Sequence, residues 1–276
     1  MGKRIFSTVA LWIIVGGALW YFRTTGALVL IGLISVLTLR EFYGLMHASG
    51  YDPFDKLGLS CGALITMSPW LETLCAFPTP LVLPLAVIVF AVRLLGERTP
   101  ETRVESLAST LFGLVYVAVM LQYLVAIVTP LPGDTVSANG RLLLCLWLIA
   151  VVKFCDTGAL LTGLAIGKHK MSPQISPKKT WEGAAGGVVV AMGVGALIAW
   201  LARGVFPAHL TPLTAALMAV PIAIVGIVAD LVESVLKRRA NQKDSGATIP
   251  GIGGMFDLSD SIIFVAPLAY YFFRLP

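Results

Sequence analysis

Long unbroken blocks of apolar residues, separated by short polar stretches, dominate this chain. A helix rises 1.5 Å per residue, so a block of about 17–25 residues crosses the hydrocarbon core of a bilayer. Nine blocks are predicted as membrane helices: 5–22, 27–45, 57–76, 80–95, 107–128, 141–164, 183–203, 211–235 and 259–274, of which the fourth and ninth are short. The first block follows Lys3 and Arg4, as a signal peptide would. It runs into the second across the tight turn Arg23-Thr24-Thr25-Gly26, which predicts an uncleaved helix. In the seventh block Gly183, Gly187, Ala191, Gly195 and Ala199 recur every fourth residue. Such a ridge of small side chains lets a second helix approach closely, within one chain or in a homodimer. The predicted architecture is all-α and polytopic: a single membrane domain over 1–276, with N-terminal helices over about 1–140 and the chemistry-bearing helices and loops over about 141–276.

Composition agrees with the blocks. Of 276 residues 57% are hydrophobic and 13% charged, and the mean hydropathy is +0.87. Soluble domains carry about 25% charged residues, so this chain has too few to cover a water-facing surface. The net charge of +5 does not point to nucleic acid, because the basic residues lie between apolar blocks rather than on a polar fold. They read as topology signals and as contacts for anionic lipid or nucleotide. With nine spans and a cytoplasmic N-terminus, fifteen Lys and Arg residues fall on the cytoplasmic side, four on the other, and Lys153 within a span. That asymmetry predicts a multi-pass protein of a bacterial-type inner membrane. Cys61, Cys75, Cys145 and Cys155 sit in or beside apolar blocks with no C-x-x-C pair, and read as small buried hydrophobes.

Charge, glycine and proline concentrate in two segments, 165–182 and 236–258, on the predicted cytoplasmic side. Asp230, Glu233, Ser234 and Lys237 are spaced i, i+3, i+4, i+7 and share one helix face within about 100° of arc. A carboxylate at hydrocarbon depth costs about 2.5 kcal/mol or more unless it is paired or bound to a cation. Asp257, Asp260 and Ser261 repeat the one-face spacing just after Pro250-Gly251-Ile252-Gly253-Gly254. Glycines there allow close backbone approach to a ligand, and a helix N-terminus attracts phosphate; simple capping by Asp257 or Asp260 is the plainer alternative. Ser176-Pro177-Lys178-Lys179-Thr180, with Glu182 behind it, offers ammonium and hydroxyl groups to a phosphate, or else a positive-inside anchor. Asp156 lies one helical turn from Lys153, to neutralise it or to line a polar cavity. His47, His169 and His209 are scattered and are assigned no role.

The run from Asp230 through Ser234, Lys237 and Arg238, then Lys243-Asp244-Ser245-Gly246, Pro250-Gly-Ile-Gly-Gly and Asp257-Leu-Ser-Asp260, resembles the signature of phosphatidate cytidylyltransferases. That signature reads S-x-x-K-R-x4-K-D-x-G, P-G-H-G-G and D-R-x-D. Asp156-Thr-Gly-Ala and Ser176-Pro-Lys-Lys-Thr-Trp-Glu-Gly also resemble the family. The motifs cover about the last 120 residues; the first 140 match in hydrophobic character. Ile252 stands where the family has His, and Leu258 where it has Arg.

The resemblance implies the conversion of CTP and phosphatidate to CDP-diacylglycerol and pyrophosphate. It implies Mg²⁺ on Asp230 and Asp257, with room for a second, monovalent cation such as K⁺. Lys237, Lys243 and Asp244 join these aspartates as the implied catalytic set. Asp156, Ser176, Pro177, Lys178, Lys179, Thr180, Glu182, Glu233, Ser234, Arg238, Gly253, Gly254 and Asp260 are the implied substrate contacts. A CTP-dependent polyprenol or phytol kinase would use similar chemistry. A non-enzyme alternative is an ion-coupled transporter with Lys153 and Asp156 in its pathway.

Overall fold

The computed structural model describes residues 2–75, 77–96, 103–130, 136–249 and 253–275, with the side chains of Ile13 and of Val15 onward. The apolar blocks form helices in chain order: α1 (Gly2–Ala48), α2 (Asp55–Cys75), α3 (Thr79–Leu95), α4 (Arg103–Gly113), α5 (Met120–Val128), α6 (Ala138–Ile166), α7 (Trp181–Leu201), α8 (Pro212–Arg239) and α9 (Met255–Phe272). α4 and α5 form one continuous helix whose middle turn, Leu114–Val119, is wound as a π-helix. The predicted loop 165–182 contains an antiparallel hairpin of β1 (Lys170–Ser172) and β2 (Ser176–Thr180).

The protein is therefore all-α and polytopic, with one small hairpin. Six helices among the described residues are long and apolar enough to cross a membrane: Val15–Ala48, Arg103–Val128, Ala138–Ile166, Trp181–Leu201, Pro212–Arg239 and Met255–Phe272. The nine predicted blocks exceed this count for physical reasons. Blocks 5–22 and 27–45 run on as α1, broken where Arg23 leaves helical geometry at φ 46°. Thr79–Leu95 is apolar but short. The block at 57–76 is a helix, but Glu72, Thr73 and several small residues dilute it.

Helix ends follow local chemistry. α1 stops where Gly50 takes φ 92° and α8 where Asn241 takes φ 53°. In each case the next amide bonds back five residues, Tyr51 to Met46 and Gln242 to Lys237, the Schellman arrangement for which Gly and Asn are suited. α8 thus extends four residues past its predicted end and carries Lys237 and Arg238 on the helix itself.

Internal contacts gather the chain into two units, Met1–Thr129 with Leu236–Ser259, and Pro130–Val235 with Asp260–Pro276. In the first unit, hydroxyls join helices that have no water to bond. Ser35 meets Thr66 at 2.6 Å, and Thr38 meets Ser259 at 2.9 Å. The Tyr43 hydroxyl donates to the Thr110 carbonyl at 3.1 Å. Phe42, Tyr116 and Phe256 form an aromatic cluster with centroids 5.6–6.0 Å apart.

In the second unit the small-residue ridge of α7 is its buried face. A Cβ on Gly183 would fall 2.7 Å from the Ala159 carbonyl oxygen, and one on Gly187 the same distance from that of Cys155. The ridge therefore packs α7 on α6 within the chain. Trp147 donates to the Gly195 carbonyl at 2.9 Å, bonding the two helices again.

Gly187→Val is expected to lower the thermal midpoint in detergent by several degrees, an overpacking cost of about 1–3 kcal/mol. Gly193→Ala, on the same helix but with nothing within 4 Å of the added Cβ, should leave it unchanged or higher.

Candidate active site

The stripe predicted on α8 is present. Asp230 is half-buried, Glu233 buried, Ser234 and Lys237 half-buried, while Val235 on another face is exposed. In the second unit Asp230 and Glu233 meet Asp260 of α9, with one carboxylate oxygen from each within 4.8 Å of the others. Full charges at that separation repel by about 3 kcal/mol per pair at an effective dielectric near 20. Glu233 and Asp260 are at least nine-tenths buried, so water screens them little. Lys179 meets Asp230 at 2.6 Å and supplies part of the countercharge. Three hard oxygen donors converging in this way suit Mg²⁺, which favours carboxylate ligands. The donor set therefore fits the implied metal.

Asp230 belongs to the second unit and Asp257 to the first. Within its own unit, Asp230 is joined by Glu233 and Asp260. Asp257 sits in the first turn of α9, where its Oδ1 accepts from Lys237 Nζ at 2.8 Å. Its Oδ2 accepts the backbone N–H groups of Gly254, at 2.8 Å, and Ser245, at 3.0 Å. The Gly254 bond is the returning half of a capping box, so the capping alternative is realised at Asp257. Gly253 takes φ 133°, and its Cβ position is 2.8 Å from Asp257 Oδ2. Close approach at the two glycines thus serves the protein's own carboxylates. Pro250, Gly251 and Ile252 lie outside the described residues. Lys243, Asp244 and Arg238 are exposed, and Leu258 is half-buried.

The Ser176–Thr180 segment is strand β2. Thr180 is buried as the N-cap of α7, accepting from Gly183 N–H at 3.1 Å. Glu182 accepts from the amides of Lys168 and His169 and bonds the His169 ring, so it ties the base of the hairpin to α7. Ser176 is half-buried and Pro177 exposed. Lys178 is exposed, and Lys179 turns inward to Asp230. Lys153 and Asp156 approach to 3.8 Å, an ion pair without a close hydrogen bond. A cleft of about 610 Å³ lies in this unit, lined by Lys170, Lys178, Lys179, Asp156 and Asp230 together with Ala159, Leu160, Leu164, Ala184 and Ile227. It offers ammonium groups, carboxylates and hydrocarbon walls to one ligand.

One buried carboxylate outside the motifs was missed: Glu41 of α1, which accepts from Ser245, Thr248 and Phe256. The signal was available, because Glu41 is an ionisable residue inside a predicted span, and such residues are functional candidates by default.

The model of the "Cytidylyltransferase family" matches residues 2–275. The chain belongs to this family. It is 33% identical to the phosphatidate cytidylyltransferase of Synechocystis sp., over 94% of this chain and 90% of that one. It is 31% identical to phosphatidate cytidylyltransferase 5, chloroplastic, of Arabidopsis thaliana, over 99% of this chain and 72% of that one. It is 32% identical to the phosphatidate cytidylyltransferase of Thermotoga maritima, over 68% of this chain and 66% of that one. Membership extends to the N-terminal helices, where motif reading found only hydrophobic character.

For this cytidylyltransferase, the crowded carboxylates set an expectation that unfolding can read without turnover. Mg²⁺ added to metal-stripped protein should raise its thermal midpoint, because a ligand of the native state stabilises it. Asp260→Asn should shrink that rise and, by relieving repulsion, raise the midpoint in chelator.

Proposed function

We propose that the protein is a phosphatidate cytidylyltransferase of a bacterial inner membrane, joining CTP and phosphatidate to give CDP-diacylglycerol and pyrophosphate. Family membership makes it a CTP-using nucleotidyltransferase. The observation that carries the lipid substrate is the cleft, where lysines and a helix-borne aspartate share one cavity with Leu160, Leu164 and Ile227. A phosphomonoester with acyl chains has that same division between anion and hydrocarbon. The names of the relatives support the same substrate.

The reaction asks little of acid–base chemistry. The second pKa of a phosphate monoester is about 6, so the attacking oxygen of phosphatidate is already largely anionic. That oxygen forms a bond to the α-phosphorus of CTP, and the bond to the β-phosphate oxygen breaks with its electron pair leaving on pyrophosphate. The barrier is the approach of two polyanions and the charge that builds on the leaving group. Lys178 is free to meet phosphate at the surface, and Lys179 can exchange Asp230 for an incoming anion. Asp230, Glu233 and Asp260 would hold Mg²⁺, which supplies charge neutralisation and alignment when bound. Asp257, held by Lys237, Ser245 and Gly254, keeps its carboxylate oriented at the start of α9. Lys243, Asp244 and Arg238, exposed on the following loop and helix end, would meet the nucleotide phosphates. We place the N-terminus and these loops on the cytoplasmic side, where the basic residues concentrate.

Purified protein in detergent, given labelled CTP, phosphatidate and Mg²⁺, should release CDP-diacylglycerol and pyrophosphate. A phosphorylated lipid with CDP as co-product would instead establish a lipid kinase. Asp230→Asn should lower turnover by about a hundredfold or more, the scale of losing electrostatic stabilisation in the transition state; wild-type turnover in that variant would overturn the assignment of Asp230.

A further inference from the structure

Glu41 lies in α1 and is about nine-tenths buried. Three donors converge on it from residues more than 200 positions away. Its Oε1 accepts the Thr248 hydroxyl. Its Oε2 accepts the Ser245 hydroxyl and the Phe256 backbone N–H, each at 2.9 Å. The surrounding backbone is shaped to it as well: a Cβ on Gly246 would fall 2.7 Å from Oε1, and one on Gly254 would collide with Oε2 and with Ser245 Oγ. Both glycines belong to the motif segments, and the group that requires them to be glycine is this carboxylate.

The contacts continue past Glu41. Ser245 Oγ is 2.9 Å from Glu41 and 3.0 Å from Asp257 Oδ2. A hydroxyl carries one proton, so it donates to one carboxylate at a time. The Ser245 amide also donates to Asp257, whose other oxygen takes Lys237 at 2.8 Å. A chain of bonds thus runs from Glu41 through Ser245 to Asp257 and Lys237, all in the first unit.

We propose that Glu41 is a positioning residue for the reaction. It fixes the loop from Lys243 to Ile249 and the first turn of α9, and through Ser245 it orients the Asp257–Lys237 pair. The inference rests on the cytidylyltransferase reading for its kinetic consequence, but not for the anchoring itself. A merely stabilising carboxylate would change melting and leave turnover per folded molecule intact. A positioning residue changes turnover in a molecule that remains folded, because small misplacements of reacting groups slow the chemical step. None of Glu41's partners lines the lysine cleft, so the KM for phosphatidate should not move.

The test is Glu41→Gln, of equal size, and Thr248→Val, which removes one donor, each compared with the full-length protein in detergent. Hydrogen exchange at the amides of 244–249 and 256 should be faster in both, and kcat should fall, by about tenfold in E41Q, with the KM for phosphatidate unchanged. Wild-type exchange at these amides overturns the anchoring. Faster exchange with unchanged kcat overturns the catalytic role. Should E41Q not fold, the same two criteria apply to Thr248→Val. A wild-type protein that makes no CDP-lipid sinks the proposed function alone, and exchange then decides the anchoring by itself.

Discussion

A carboxylate withdrawn from water must find donors or a cation, and the functional half of this protein is organised by that requirement. Burying an unpartnered charge costs several kcal/mol, more than most single contacts return. Three solutions coexist. Glu41 takes two hydroxyls and an amide. Asp257 takes a lysine, two amides and a hydroxyl. Asp230, Glu233 and Asp260 crowd together with one lysine among them, which leaves negative charge in excess. The first two arrangements are closed and hold backbone in place; the third is the one able to accept a metal.

Close helix packing makes the third arrangement reachable from the lysine side. Because α7 carries hydrogen or methyl groups where it meets α6, the backbones approach to van der Waals contact. Thr180 caps α7 at that junction and Glu182 ties down the other side of the hairpin. Lys178 and Lys179 are therefore presented from a braced strand rather than from a loose loop. A braced ammonium loses less freedom on meeting a phosphate, which favours recognition at little entropic cost.

Much of this was legible beforehand because it depends on local periodicity. The i, i+3, i+4 spacing put Asp230 beside Glu233, and Asp260 beside Ser261, with no tertiary information. Apolar length found every helix but miscounted spans, since length cannot report a single-residue break such as Arg23. The grouping of carboxylates was harder. Asp257 and Asp260 are both acidic residues on one face, and which of them joins Asp230 depends on helix packing that no spacing encodes. The hairpin was missed because Pro173 and Pro177 read as loop residues, although Pro is tolerated in a strand with an open edge. Glu41 carried a signal, but its partners lie so far along the chain that only the folded backbone identifies them.

The π-wound turn at Leu114–Val119 has a consequence for insertion and deletion. A π turn holds one residue more than an α turn, so the continuous helix Arg103–Val128 contains a register slip in its middle. It lets Tyr116 stack on Phe42 before the slip and Leu121, Leu124 and Val125 be buried after it. Excising a single residue there would restore regular winding and turn everything downstream by about 100°. The apolar seam would then rotate toward lipid, and Gln122 would lose its place beside Ser68. One surplus residue is thus what keeps the two halves of this helix facing the same neighbours.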